Sequence, residues 1–227
     1  MQYSWLAKNR EKRLLVFCNG WGMDEKPYNK LTATGIDVLV LSDFSDLSSR
    51  DCEGVIPGID AFGHYQERIL LAWSMGVWAA HKLFARSESA FQRKIAVNGT
   101  LCPIHDRYGI PRELFGVTAQ AWSESSKEKF YRRMCGEKNL TREFMDNAPA
   151  RGIADQQREL NWYLEQVDCL SSTEAFYSEV WVSTKDRIMA TENQLNFWGD
   201  DVRFVSGGHF PFYRKSCWHE LLSSDTF

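Results

Sequence analysis

Ser74 is the residue around which chemistry can be built. It stands in Ala72-Trp73-Ser74-Met75-Gly76, after an apolar run and before helix-forming residues. A serine on a sharp strand-to-helix turn exposes its hydroxyl. Such a turn needs small residues two positions before and two after, because backbone segments meet there. Ala72 and Gly76 fill those positions. A serine hydroxyl is a weak nucleophile until a base takes its proton, and the base must be oriented by a carboxylate. Of the five histidines, His209 alone follows an apolar run through a glycine-rich turn, Ser206-Gly207-Gly208. His81 falls inside the helix after the serine, His64 and His105 in polar loops, and His219 in the last helix. Asp186 follows the run Glu179–Ser183, with Glu192, Asp200 and Asp201 as weaker alternatives. The chain order serine, acid, histidine, each beyond a strand, is that of a known nucleophilic triad. A developing oxyanion needs backbone N–H donors. Met75 supplies one, and Trp21 in Asn19-Gly20-Trp21-Gly22 is the better candidate for the second. The blander readings are a helix-capping serine, a turn aspartate and a phosphate-binding glycine turn. The last lacks the G-x-x-x-x-G-K-[ST] and full G-x-G-x-x-G patterns.

The elements that must position these residues are short apolar runs: Arg13–Cys18, Asp37–Leu41, Arg68–Ala72, Lys94–Val97, Glu179–Ser183 and Val202–Val205. Such runs suit strands buried on both faces of a parallel sheet. Tyr3–Leu6 adds a hairpin edge strand before the first. Helical stretches at Met75–Phe84, Glu192–Trp198 and Cys217–Leu222 alternate with the strands, which predicts an α/β fold with a mostly parallel sheet. Polar residues then gather at the carboxyl ends of the strands. From Leu101 to Ser178 no strand is evident, while Glu124–Met134 and Ile153–Val167 read as helices. The division expected is a core of 1–100 and 179–227 with a helical lid insertion at 101–178, in a single domain.

The 227 residues are 44% hydrophobic and 25% charged, with a net charge of −3. That composition excludes disorder as the main theme and argues against a generic nucleic-acid binder. No apolar run approaches the roughly 20 residues of a membrane-spanning helix. The first residues carry no signal-peptide pattern, so a cytoplasmic monomer is expected. The six cysteines, at 18, 52, 102, 135, 169 and 217, include no C-x-x-C pair. Neither a disulfide framework nor a zinc site is expected, and Cys18 and Cys102 read as buried thiols.

The chain resembles the BioG-type pimeloyl-[acyl-carrier-protein] methyl ester esterases of the α/β-hydrolase superfamily. The resemblance rests on Asn19-Gly20-Trp21-Gly22, Ala72-Trp73-Ser74-Met75-Gly76-Val77-Trp78 and Asn98-Gly99-Thr100. It continues through Ser183-Thr184-Lys185-Asp186, Glu192-Asn193-Gln194-Leu195, and Gly208-His209-Phe210-Pro211-Phe212-Tyr213 with Trp218 downstream. It implies an α/β-hydrolase fold and hydrolysis of the methyl ester of pimeloyl-acyl carrier protein, releasing methanol, in biotin synthesis. It also implies Ser74 as nucleophile, His209 as base, Asp186 as its orienter, Trp21 and Met75 as oxyanion donors, and no cofactor or metal. The implied partner is an acyl carrier protein carrying the pimeloyl methyl ester.

The lid must then wall an acyl tunnel. Leu114, Phe115, Phe130, Met134, Phe144, Trp162 and Tyr163 are candidate walls, with Phe130 and Met134 joining Trp21 and Trp73 as the expected substrate contacts. Lys127–Arg142 holds six basic residues against two acidic ones. Lys129, Arg132 and Arg133 share one helix face, which suits an acidic carrier protein. Alternatives are a general carboxylesterase or thioesterase on the same fold, or a non-catalytic carrier-binding module.

Overall fold

The computed structural model describes residues 1–47, 62–170 and 176–223. Cys52 lies outside them. Seven strands form one sheet: β1 (Gln2–Ala7), β2 (Arg13–Cys18), β3 (Asp37–Ser42), β4 (Glu67–Trp73), β5 (Arg93–Val97), β6 (Glu179–Ser183) and β7 (Arg203–Val205). Their order across the sheet is β1-β3-β2-β4-β5-β6-β7. All neighbours run parallel except β1, which lies antiparallel to β3. The expected hairpin between the first two strands does not form. β1 pairs with β3, Gln2 facing Ser42, and β2 is left with two parallel neighbours. Pairing on both edges buries the run Leu14–Cys18 completely, which an apolar segment favours over an edge position.

The period-two side-chain alternation of the strands splits the core in two. Leu14, Val16, Leu39, Leu41, Leu70, Ala72 and Ala96 face one layer, packed on α1 (Met75–Phe84) through Val77, Trp78, Ala80 and Phe84. Leu15, Phe17, Val38, Val40, Ile69, Leu71, Ile95 and Val97 face the other. There the ring of Phe17 meets Tyr28, Phe212 and Trp218, with centroids 4.8–5.4 Å apart. β2 to β5 therefore carry apolar side chains on both faces, which is why they read as continuous runs.

Between β5 and β6 the described chain is helical: α2 (Arg112–Gln120), α3 (Glu124–Cys135), α4 (Lys138–Asp146) and α5 (Ile153–Gln166). α3 begins in a reciprocal cap between Ser123 and Ser126 and stops at Gly136, whose φ of 76° ends the helix in the left-handed region. Two further helices, α6 (Thr191–Trp198) and α7 (Trp218–Ser223), follow β6 and β7. α2 and α4 were not expected. α2 contains Gly116, Val117 and Thr118, weak helix formers that tertiary packing of Phe115 and Ala119 overrides.

Cys102 is bonded to Cys169, correcting the expectation of a free buried thiol at 102. The pair is 67 residues apart in sequence, so spacing carries no hint of it. The fold brings the ends of the helical stretch together, with Leu170 N–H also donating to Leu101 O at 3.0 Å. Cys18 stays a buried free thiol, its ionisation suppressed by complete burial.

Candidate active site

Sheet register gathers the predicted residues. Cys18 lies opposite Ala72, so the loop after β2 adjoins the turn after β4. Val205 lies opposite Ser183, so the loops after β6 and β7 are neighbours. Ser74 adopts φ 58° and ψ −127°, and its N–H donates to Val97 O at 2.9 Å. This left-handed turn is strained for a residue with a Cβ, and burial on every side holds it. A Cβ on Gly76 would overlap the carbonyl oxygens of Cys18 and Asn19, so only glycine fits there.

His209 Nε2 lies 2.8 Å from Ser74 Oγ, and His209 Nδ1 lies 2.7 Å from Asp186 Oδ2. All three residues are buried, at 6%, 1% and 6% exposure for Ser74, His209 and Asp186. Asp186 is fixed on both oxygens. Oδ1 accepts the N–H groups of Ile188 and Met189 at 2.9 and 3.1 Å, and Oδ2 also accepts Gln194 Nε2 at 2.9 Å. The His209 carbonyl accepts Trp73 Nε1 at 2.8 Å and Asn98 Nδ2 at 2.9 Å. Asn98 also ties β5 to β6, donating to Ser183 Oγ and accepting Ser183 N–H at 2.8 and 2.7 Å. An imidazole bonded to a carboxylate at one nitrogen and a hydroxyl at the other is arranged to take the hydroxyl proton.

The loop Asn19–Gly22 approaches the serine closely. A Cβ on Gly20 would come within 2.8 Å of the Trp73 ring and 3.3 Å of Ser74 Cβ. Asn19 Oδ1 accepts Gly20 N–H and the Tyr28 hydroxyl, while its Nδ2 donates to Asp24 O. The backbone N–H groups of Trp21 and Met75 have no acceptor among the described residues.

A cavity of about 290 Å³ opens on Ser74 and His209. Its walls come from the strand-end residues Trp21, Met23, Trp73 and Ile188 and from the helical stretch between β5 and β6. Of the expected tunnel residues, Leu114, Phe115, Phe130 and Met134 line it. Phe144, Trp162 and Tyr163 do not. Phe144 packs on Tyr131 and Phe210, while Trp162 and Tyr163 pack near Trp78. Trp73 is 1% exposed, and its indole N–H serves His209. Lys129 and Arg133 border the cavity and make no ion pair among the described residues. Arg132 does not line it and instead reaches Glu128 at 3.3 Å.

Sequence reasoning missed a polar layer behind the oxyanion loop. Glu159 and Gln156 of α5 are fully buried. Burial pushes the Glu159 carboxyl up, opposed by Arg151 and by two backbone N–H donors, Gly22 and Phe44. Arg151 itself pairs with Glu159, Asp43 and Asp155. Arg151 precedes α5, and Asp155 and Glu159, four apart on one helix face, read in the sequence as solvated charges, so nothing marked the layer there. Among the described residues, no group of three or more His, Cys, Asp or Glu side chains is placed to hold a metal ion.

A seven-stranded, mostly parallel sheet with this strand-to-helix serine turn and flanking helices defines an α/β-hydrolase fold. Within that class the chain belongs to the family described as pimeloyl-ACP methyl esterase BioG, whose model matches residues 1–221. A crystal structure of BioG from Haemophilus influenzae is similar, with 27% identity, 97% of this chain and 99% of that chain covered, and a TM-score of 0.79. A Haemophilus influenzae protein described as uncharacterized is 31% identical over 216 residues, 92% of this chain and 94% of that protein. A malonyl-[acyl-carrier protein] O-methyltransferase of Bacteroides fragilis is 30% identical over 202 residues, 88% of this chain. The aligned region spans 40% of that longer relative. An esterase from Exiguobacterium antarcticum, at 13% identity and TM-score 0.66 over 92% of this chain and 86% of that one, shares the fold.

Proposed function

We propose that the protein is a serine esterase that hydrolyses the methyl ester of pimeloyl-acyl carrier protein, the reaction its family description names. The carrying observation is the unbroken chain from Ser74 Oγ through His209 to Asp186, 2.8 and 2.7 Å, at the floor of a mainly apolar cavity. Ser74 Oγ attacks the ester carbonyl as His209 Nε2 takes its proton. The N–H groups of Trp21 and Met75 receive the oxyanion. His209 returns the proton to the departing methanol, and the acyl chain stays on Ser74. Water, deprotonated by His209, then releases the free carboxylate. Asp186 holds the imidazole and stabilises its cationic form. No step requires a metal or an organic cofactor.

The substrate class follows from three supports. The apolar walls Trp21, Leu114, Phe115, Phe130 and Met134 suit a methylene chain. Lys129 and Arg133 at the border, without an ion pair among the described residues, suit an acidic carrier. Arg132, engaged with Glu128, is a weaker contact than the sequence implied. The Bacteroides fragilis relative bears the name of an enzyme that places a methyl ester on a carrier-bound acyl group. An enzyme removing such an ester is the chemical counterpart. The stretch 101–178, which contributes one wall of the cavity, acts as a lid.

The test compares purified protein on pimeloyl-methyl-ester acyl carrier protein and on a short chromogenic ester. Strong preference for the carrier-bound ester supports the assignment. Cleavage of only the short ester makes the protein a general carboxylesterase.

A further inference from the structure

We infer that Gln156 and Glu159 of α5 are positioning residues that hold the Trp21 N–H in its oxyanion-binding orientation. The inference rests on the serine-esterase reading above and adds two residues to it. One helical turn grips the whole Trp21–Gly22 segment. Trp21 Nε1 donates to Gln156 O at 2.8 Å. Gln156 Nε2 donates to Gly22 O at 2.8 Å, and Gly22 N–H donates to Glu159 Oε2 at 3.1 Å. Both polar groups of Gly22 and the indole of Trp21 are thereby fixed from the same side.

The second oxygen of Glu159 widens the grip. Phe44 N–H, after β3, donates to Oε1 at 3.1 Å. One carboxylate thus spans the ends of β2 and β3. Gln156 Oε1 in turn accepts Trp122 Nε1 at 3.1 Å, which anchors the amide so that its nitrogen faces Gly22. Arg151 neutralises Glu159 within the same buried cluster.

The geometry bears on chemistry because Gly22 needs support. Its φ of +73° lies in the left-handed region, and as glycine it has no side chain to hold that conformation. Rotation about the Trp21–Gly22 segment would swing the Trp21 N–H away from Ser74. An oxyanion donor must be preorganised where charge develops, and removing one such donor costs about 10²–10³ in kcat. Asn19 and Tyr28 brace the start of the loop, and Met23 N–H closes the turn onto Gly20 O at 3.4 Å; the grip on Trp21 and Gly22 from outside the loop comes from α5.

The test is a variant series on a short p-nitrophenyl ester, with affinity for a trifluoromethyl ketone that forms a tetrahedral serine adduct. Glu159→Gln sets an amide N–H₂ against one of the two backbone donors, so Gly22 or Phe44 loses its acceptor. The expected result is a kcat lower by about 10²-fold with KM changed less than about 3-fold, and ketone affinity falling in parallel. Gln156→Leu removes the Gly22 O contact without touching a charge and should show the same split. Gln157→Leu, on the same helix, loses only a bond to Ala119 O and should leave turnover within about 2-fold. Active-site titration separates a lowered concentration of folded enzyme from a lowered rate per site. Wild-type kcat in both folded α5 variants, Glu159→Gln and Gln156→Leu, or equal losses in Gln157→Leu, overturns the positioning role. Turnover persisting in Ser74→Ala overturns the serine-esterase reading and this inference with it. A dead Ser74→Ala beside unaffected Glu159→Gln and Gln156→Leu removes the inference alone.

Discussion

The two halves of the candidate site are supported from different parts of the molecule. The acid–base half is almost a local structure. Every partner of Asp186 except His209 lies between Ile188 and Gln194, and His209 is pinned by Trp73 and Asn98 at the ends of β4 and β5. Its links to the stretch between β5 and β6 touch no triad side chain: Phe210 N–H donates to Met134 O at 3.3 Å, Phe210 packs on Phe144, and Asn193 Nδ2 donates to Asp106 O and Gly109 O at 3.0 and 2.8 Å. The oxyanion half is held across more than a hundred residues, by Gln156 and Glu159 reaching Trp21, Gly22 and Phe44. The difference teaches that the proton-transfer geometry belongs to the sheet. Stabilisation of the developing charge depends on how the helices between β5 and β6 are seated.

That contrast can be broken most forcefully at its centre. Ser74→Ala should lower kcat on any ester by about 10⁶-fold with the fold intact, as loss of the nucleophile does in other triads. Ester turnover and a thermal melt on one sample check it, and residual activity well above that level removes Ser74 from its role. Asp186→Asn should cost about 10⁴-fold in kcat, since the amide favours the wrong imidazole tautomer. A loss below tenfold would move the orienting role to another carboxylate. Asn98→Ala leaves Ser183 N–H without its acceptor in a buried position, which costs about 1–3 kcal/mol. Urea unfolding reads it, and an unchanged midpoint would show that β5 and β6 hold without it.

Charge reversal at the cavity border sharpens the comparison from the other side. Lys129→Glu with Arg133→Glu should cut kcat/KM on the carrier-bound ester by about tenfold, more at low salt, and spare a short ester. Equal losses on both substrates would mean α3 had been unseated. Arg132→Glu, already paired with Glu128 and off the cavity, should change either rate by less than about twofold.

The same division marks what the sequence discloses. Runs such as Leu14–Cys18 and Ile69–Ala72 are apolar because both faces are covered, and a serine turn at the end of one is legible without coordinates. So are Asp186 and His209, each a few residues beyond a strand. The partner of β1 was not legible, because six-residue edge strands carry no mark of which neighbour they choose. Nor were Gln156 and Glu159. On a helix with Asp155, Gln157 and Arg158 around them they look like a solvated face. Only the fold reveals that their polar ends meet backbone donors and acceptors rather than water. Gln194, inside a motif that carried the resemblance, was visible as a residue but not as a ligand of Asp186.

The junction at Cys102 and Cys169 has an architectural consequence. Their Cα atoms are 4.1 Å apart, little more than the distance between adjacent residues, and Leu101 and Leu170 are hydrogen-bonded beside them. The helices between them form a closed cassette with a single narrow neck. A cassette of another length or composition can leave and rejoin at that neck without shifting a strand by one register step. A recipient sheet would keep its serine, histidine and aspartate in place, while the incoming helices would have to bring their own counterpart of Gln156 and Glu159.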